Sequence, residues 1–517
     1  MKNKNTNVLC YLFSGIFILF IGILTVMSLF MHCETSLSDY EQTKSITWHT
    51  FYLYMGLVLM GLAVAGVLCF WLEGIFLRTG KGEKISNVIS IFCLLVILSA
   101  GIFWIFFNDS VPAYDQKTVY MEAQRIAGFL DGDFETEYFA YFSRNRGMAL
   151  LAAMAMKIFG NHLYSFRIIN LLAVVVIYYT ICRFVKLVFR NPVVLTLTSL
   201  LLMAFYPLVI YTSYHYGTLL SIAFTSLGLY GTAALCETGK RWYAVAVVLG
   251  FPLGILMHQS AAIGLVAAII YLLLNGRGKI LLWNAFISIL AVFMIFLAMR
   301  VIDGTYMQIT GADPEADSVP VSCTVYMGLT STMGASGPGS QDGADARIFL
   351  ENNCDGKAAN QVAMDGILTT AKEYVTGKRS LNFFVEKIKY QWLDPTFGAR
   401  KTIRMNDTSI GEPENSAAFA AFYENSLREI VFKVSIGAML LVYLCALIAG
   451  VRSIMNNKEG LAMILVQLYV IGGGAFQLIW ESLSRYCLGY FIWLLPLSAY
   501  GLWYLLSLLK KRSKRNV

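Results

Sequence analysis

The chain has 517 residues, 57% of them hydrophobic and only 14% charged, a balance too apolar for a water-soluble protein of this size. Its formal charge is +8. The basic residues collect at the ends of apolar runs, so the excess reflects membrane topology and not nucleic-acid binding.

A helix that crosses a bilayer takes about 20 predominantly apolar residues, because backbone N–H and C=O groups in hydrocarbon must be satisfied within a helix or a closed barrel. The long continuous apolar runs, without the alternation of barrel strands, predict an all-α polytopic membrane protein. In chain order the spans fall near 8–31, 51–72, 86–108, 165–185, 193–210, 217–236, 242–258, 260–274, 280–302, 429–450, 459–480 and 487–509, about twelve in all. The seventh and eighth also read as one broken hairpin. The first run is longer than a secretory h-region and lacks an A-x-A site, which predicts an uncleaved anchor. The chain thus divides into an N-terminal hairpin with its loop (1–85), a core (86–302), a large loop (303–428) and C-terminal spans with a basic tail (429–517).

Cytoplasmic loops are enriched in Lys and Arg. Alternate connections carry Lys2 and Lys4; Arg78, Lys81 and Lys84; Arg183, Lys186 and Arg190; Lys240 and Arg241; Arg277 and Lys279; Arg452 and Lys458; and Lys510, Lys511, Arg512, Lys514 and Arg515. Both termini are therefore predicted to be cytoplasmic. The short apolar stretch 147–159 is read as an outer juxtamembrane helix, since counting it as a span would put the Arg183–Arg190 cluster outside.

The opposite side displays the first outer loop (109–164), residues 211–216, the large loop, the 481–486 corner and the tip around His258 and Gln259. In the first outer loop Val119, Ala123, Ile126 and Leu130 recur at helical spacing, which predicts an amphipathic helix along the interface. Asp115 stands just before it. It reads either as an N-cap or as a general base at the membrane surface. Asp131 and Asp133 flank Gly132 in a predicted turn. Arg144 and Arg146 suit either lipid headgroups or a substrate phosphate. Glu481 and Arg485, four apart, form either an interfacial ion pair or a site for an anionic headgroup.

In the large loop the segment TSTMGASGPGSQDGAD predicts flexibility, and 360–395 carries helical periodicity. Eight of ten cysteines lie in or beside spans as small buried hydrophobes. Cys323 and Cys354 share the large loop, and a disulfide between them stays open. The chain has no CxxC pair, HExxH, Walker loop or serine elbow, so no metal or other cofactor is expected.

The order of these features resembles the protein-mannosyltransferase-like enzymes of glycosyltransferase family 39, of GT-C fold. The resemblance is carried by Asp115, Tyr120, Ala123 and Gly132-Asp133; by YFSRNRGMALLAAMAMKIFG; by YPLVIYTSYHYG and PVSCTVYMGL; by KYQWLDPTFG; and by the Glu-x-x-x-Arg-Tyr corner. It implies transfer of a sugar from a polyprenyl-phosphate carrier to an acceptor outside the cytoplasm: a cell-envelope glycan, lipid or protein. By the same resemblance Asp115 is the base and the transfer inverts the anomeric carbon. Arg485, then Arg146, are the first choices for the phosphate, with Glu481, Arg144, Tyr120 and Asp133 as further binding residues. His258, in GILMHQSAAIG, stands where relatives often carry a basic group. The family's common Pro near the juxtamembrane helix is replaced by FSRNRG, and residues 1–85 precede the shared core. A lipid or solute transporter shares the span count, but transporters place charges near the midplane and repeat their halves. A polysaccharide polymerase or ligase relies on loop Arg and His residues, and none of the five histidines lies in the large loop.

Overall fold

The computed structural model describes residues 4–35, 41–45, 48–108, 110–313, 317–330, 338–339, 343–399, 426–455 and 457–513. Most of the predicted flexible segment, and the basic residues Lys2, Lys514 and Arg515, lie outside them.

The apolar runs form helices as predicted. They are α1 (Lys4–Phe30), α2 (Trp48–Thr79), α3 (Gly82–Phe107), the outer α4 (Asp115–Ala127), α5 (Thr136–Tyr141) and α6 (Arg146–Phe159), then α7 (Leu163–Val188), α8 (Pro192–Ala204) and α9 (Pro207–Ile210). There follow α10 (Thr218–Thr238), α11 (Ala244–Met257), α12 (Ala261–Asn275) and α13 (Lys279–Thr310). The large loop holds α14 (Val321–Thr330), α15 (Ala344–Glu351), α16 (Gly356–Val375) and α17 (Asn382–Trp392), and the chain closes with α18 (Ser426–Met455), α19 (Asn457–Ile479) and α20 (Leu488–Ser513).

Among the described residues eight helices are long and apolar enough to cross a membrane, or nine if the α8–α9 pair is one bent span. Three shorter apolar helices, Arg241–Met257, Ala261–Asn275 and Met463–Ile479, occupy the seventh, eighth and eleventh predicted positions. The fifth predicted span is bent by 54°. Pro207 opens its second half, where a missing N–H costs nothing at a helix start. Asn191 caps α8, accepting from the N–H groups of Val193 and Val194, and Asp355 caps α16 in the same way.

The helix α10 is central, with 83% of its apolar window buried, whereas α2 and α13 are peripheral at 17%. An apolar helix so little covered by protein offers its side chains to lipid. The N-terminal helix is pinned by polar contacts: the Ser14 hydroxyl donates to Gln467 Oε1 (2.8 Å), and the Ser453 hydroxyl to Ser14 (3.0 Å). Between α1 and α2 the strands β1 (Met31–Thr35) and β2 (Glu41–Ser45) pair antiparallel, an exception to the all-helical expectation. The Cys33 N–H reaches the Leu393 carbonyl at 2.9 Å and so fastens this hairpin to the large loop.

Of the expected apolar stripe of α4, Val119 and Ala123 are buried within the protein, where α4 packs on α6, while Ile126 and Leu130 are half-buried. Cys323 and Cys354 are free thiols. Cys354 Sγ lies 3.6 Å from the Tyr141 hydroxyl and Cys323 Sγ 3.9 Å from the Ala359 carbonyl.

Candidate functional site

The first turn of α4 presents Asp115, held there by Tyr114, whose φ of +53° is a conformation that side chains disfavour. The cap position falls to Tyr114, without a side-chain cap, so Asp115 is not the N-cap. Its carboxylate is exposed and Oδ1 accepts from the Tyr138 hydroxyl at 2.9 Å. The burial that the general-base expectation invoked is therefore lacking. A carboxylate in the first turn is nonetheless favoured by the helix dipole.

From Asp115 a chain of contacts runs inward. Asn145 Nδ2 donates to the Tyr138 oxygen (2.8 Å), and Asn145 Oδ1 accepts from the Tyr216 hydroxyl (2.9 Å). The Tyr216 ring lies edge-on to His258, with centroids 6.4 Å apart, and His258 faces Tyr486 at 5.2 Å. The Tyr486 hydroxyl donates to Glu481 Oε2 at 2.7 Å and accepts from Arg485 Nη2 at 3.4 Å. Gly217 brings two of these segments together, since a Cβ there would overlap the Met257 carbonyl.

The electrostatics describe the same cluster. Burial pushes the Tyr214 and Tyr216 phenols up, and both feel Asp115 and Arg485, with opposite signs. Burial, then Asp115, push Tyr138 up, so it remains a donor. Burial raises the Glu481 carboxyl while Arg485 and the Tyr486 hydrogen bond oppose this. For Arg144 burial works against the charge, and Tyr216, Asp345, Tyr486 and Glu481 more than restore it. Arg144 therefore belongs to the cluster.

A small pocket beside it is lined by Ser221, Thr225, His258, Ser260, Arg485 and Tyr490, among others. Hydroxyls with one guanidinium are groups that recognise a phosphate. Among the described residues no three His, Cys, Asp or Glu side chains gather as metal ligands.

Of the residues expected from sequence, Asp115, Arg144, His258, Glu481 and Arg485 come together. Arg146 does not join them: it is 4% exposed, and its Nε donates to the Phe139 carbonyl. Its Nη1 pairs with Asp303 at 2.9 Å, and the guanidinium sits 5.5 Å over the Tyr306 ring. Truncating such a pair strands its partner. Arg146→Met is expected to lower thermal stability clearly while leaving the donor KM of folded enzyme within about twofold; a tenfold rise in KM would overturn this assignment.

Tyr120 packs against His215 (5.7 Å) beside a separate small apolar cavity, and Asp133 is exposed between α4 and α5. Sequence reading missed Tyr138, Asn145, Tyr216 and Tyr486. Three of them, Asn145, Tyr216 and Tyr486, lie in quoted motifs, but nothing local marks them as partners.

His258 does not supply a positive charge. Burial, then Arg485 and Arg144, lower its pKa to about 3, and Nδ1 accepts from the Ser260 N–H at 3.3 Å. The ring is neutral above about pH 4. Because the unfolded chain takes up the proton near 6.5, this residue costs stability as pH falls from 6.5 toward 3. The pH–rate profile of His258→Gln between pH 5 and 8 is expected to overlay wild type after scaling, and the variant to lose less stability on acidification. Loss of a limb between pH 5 and 8 would contradict a neutral imidazole.

Residues 147–302, less than a third of the chain, match the model of the dolichyl-phosphate-mannose-protein mannosyltransferase family. No curated protein is similar enough to count as a match. Among solved structures the chain is similar to ArnT from Cupriavidus metallidurans bound to undecaprenyl phosphate, at 10% identity and a TM-score of 0.29, over 81% of this chain and 78% of that one. That superposition is too loose for any residue-by-residue comparison. The matched segment runs from α6 to α13, so it is this part of a multi-pass, helical chain that is similar to the mannosyltransferase family.

Proposed function

We propose that the protein transfers a sugar from a polyprenyl-phosphate carrier to an acceptor at the outer face of the membrane, with both termini cytoplasmic. The observation that carries this reading is the contact chain from Asp115 to Arg485, through Tyr138, Asn145, Tyr216, His258 and Tyr486. On this reading the exposed Asp115 carboxylate and the Arg485 guanidinium that lines the pocket belong to one site. A donor anchored in lipid delivers its phosphate at membrane level, and an acceptor arrives from water.

In the proposed step the acceptor hydroxyl gives its proton to Asp115 as its oxygen bonds to the anomeric carbon. The bond from that carbon to the phosphate oxygen breaks, and the carrier phosphate leaves with the electron pair. Attack opposite the leaving group inverts the anomeric carbon. Arg485, assisted by Arg144, offsets the charge that grows on the phosphate. Glu481 and Tyr486 hold Arg485 in place. The acceptor is a cell-envelope glycan, lipid or protein.

The test is incubation of the purified protein in vesicles with a panel of radiolabelled polyprenyl-phosphate sugars and an envelope extract. Labelled sugar in the acceptor fraction, with free polyprenyl phosphate released in equal amount, is expected. Movement of intact donor across the vesicle wall without cleavage would instead identify a lipid transporter.

A further inference from the structure

The motif KYQWLDPTFG (389–398) has no part in the proposed chemistry, yet two of its polar side chains, together with Lys387 just before it, are buried as deeply as any among the described residues. Lys387, Gln391 and Asp394 are each 0% exposed. Spaced by four and three, the first two lie on one face of α17 and Asp394 just past its end. All three reach the segment that carries Glu481 and Arg485. Lys387 Nζ donates to the carbonyls of Trp480 (2.6 Å), Leu478 (3.0 Å) and Gly328 (2.7 Å). Gln391 Nε2 donates to the Gln477 carbonyl at 2.9 Å. Asp394 Oδ2 accepts from the Ser484 hydroxyl at 3.0 Å and the Gly398 N–H at 2.7 Å, while Oδ1 accepts from the Thr396 N–H and hydroxyl.

We propose that Lys387, Gln391 and Asp394 form a clamp, reaching in from the large loop, that positions the Glu481–Arg485 corner for the reaction. Two of the three hooks fall immediately before a working side chain: Lys387 holds the carbonyl of Trp480, and Asp394 holds the hydroxyl of Ser484. Residues 481–483 between them belong to no regular element, so they have no ladder of their own to fix them. The carbonyls of Gln477 and Leu478 lie in the last turn of α19 and that of Trp480 just beyond, where a helix leaves its acceptors unpaired and its dipole favours a cation. Burial draws the Lys387 ammonium down to about 7 and Glu481 acts against this, a second link between clamp and corner. A guanidinium displaced by about 1 Å from a phosphate costs about a hundredfold in rate, which is the scale on which such hooks act.

This inference rests on the transferase reading above, and the experiment separates the two. Ser484→Ala removes one hydroxyl and leaves no void that would unfold the chain; Ser484→Thr keeps the hydroxyl. Steady-state kinetics are measured on purified full-length protein, varying donor and acceptor in turn. For Ser484→Ala the expected result is a loss of tenfold or more in kcat/KM for the donor through a raised donor KM, an unchanged acceptor KM, and recovery to within threefold in Ser484→Thr. Lys387→Met is expected to show the same donor-side split. A purely structural role lowers the amount of active enzyme and leaves both KM values alone; that outcome in both variants overturns the clamp. A wild type that transfers sugar from no polyprenyl-phosphate donor overturns the transferase reading itself.

Discussion

Asp115→Asn is expected to lower sugar transfer about 10²–10⁴-fold, the usual contribution of a positioned general base, while yield and thermal stability stay at wild-type values. The fold tolerates the change because Asp115 is exposed and its described partner is a donor. An amide oxygen still accepts from the Tyr138 hydroxyl, so the geometry survives and only the capacity to take a proton is lost. The measurement is initial rate at saturating donor and acceptor, with donor affinity measured separately on the same preparation. Donor affinity is expected to be unchanged, since in the proposed step the carboxylate meets the acceptor. Activity within a few-fold of wild type would remove Asp115 from the chemistry and shift attention to Glu481, the other carboxylate of the cluster.

Arg485→Gln acts at the other end of the contact chain. The variant loses the charge that would meet the carrier phosphate and also the cation that most opposes burial at Glu481. The Glu481 carboxyl is then pushed further up and holds its proton more tightly. In the proposed complex the guanidinium pairs with the carrier phosphate. Removing one member of such a charge pair costs about 2–5 kcal/mol, equivalent to about 30-fold to several-thousand-fold in kcat/KM for the donor. Donor titration separates this effect from that of Asp115→Asn: here the donor KM rises and the acceptor KM does not. An unchanged donor KM would leave Arg144 as the phosphate ligand.

The spans were legible because hydrocarbon imposes one rule on every residue that crosses it, and apolar runs of sufficient length satisfy that rule only as helices. Where a second influence enters, the reading loses detail. The fifth span was read as continuous, although Pro207 bends it. The stripe on α4 was assigned to lipid, because periodicity shows that a face is covered and not by what.

The site divides along the same line. Asp115, Glu481 and Arg485 were readable as charges stranded at helix ends in a chain with few charges. The choice between Arg144 and Arg146 was not. They are two residues apart, and the turn Ser143–Asn145 that opens into α6 sets one over the Phe142 ring and sends the other onto Asp303. That outcome depends on α13, more than 150 residues away in sequence. Lys387 and Asp394 were hidden for a related reason: a lysine in a polar loop is ordinarily solvated, and its partners here are backbone carbonyls, which no side-chain pattern announces.

Asn145, between the hydroxyls of Tyr138 and Tyr216, uses its amide N–H toward one and its amide oxygen toward the other. An amide engaged at both ends ties the segment that carries Tyr138, and through it Asp115, to the one that carries Tyr216. On the proposed reading the spacing between acceptor-side carboxylate and donor-side guanidinium is then set by hydrogen-bonded side chains and not by a free loop.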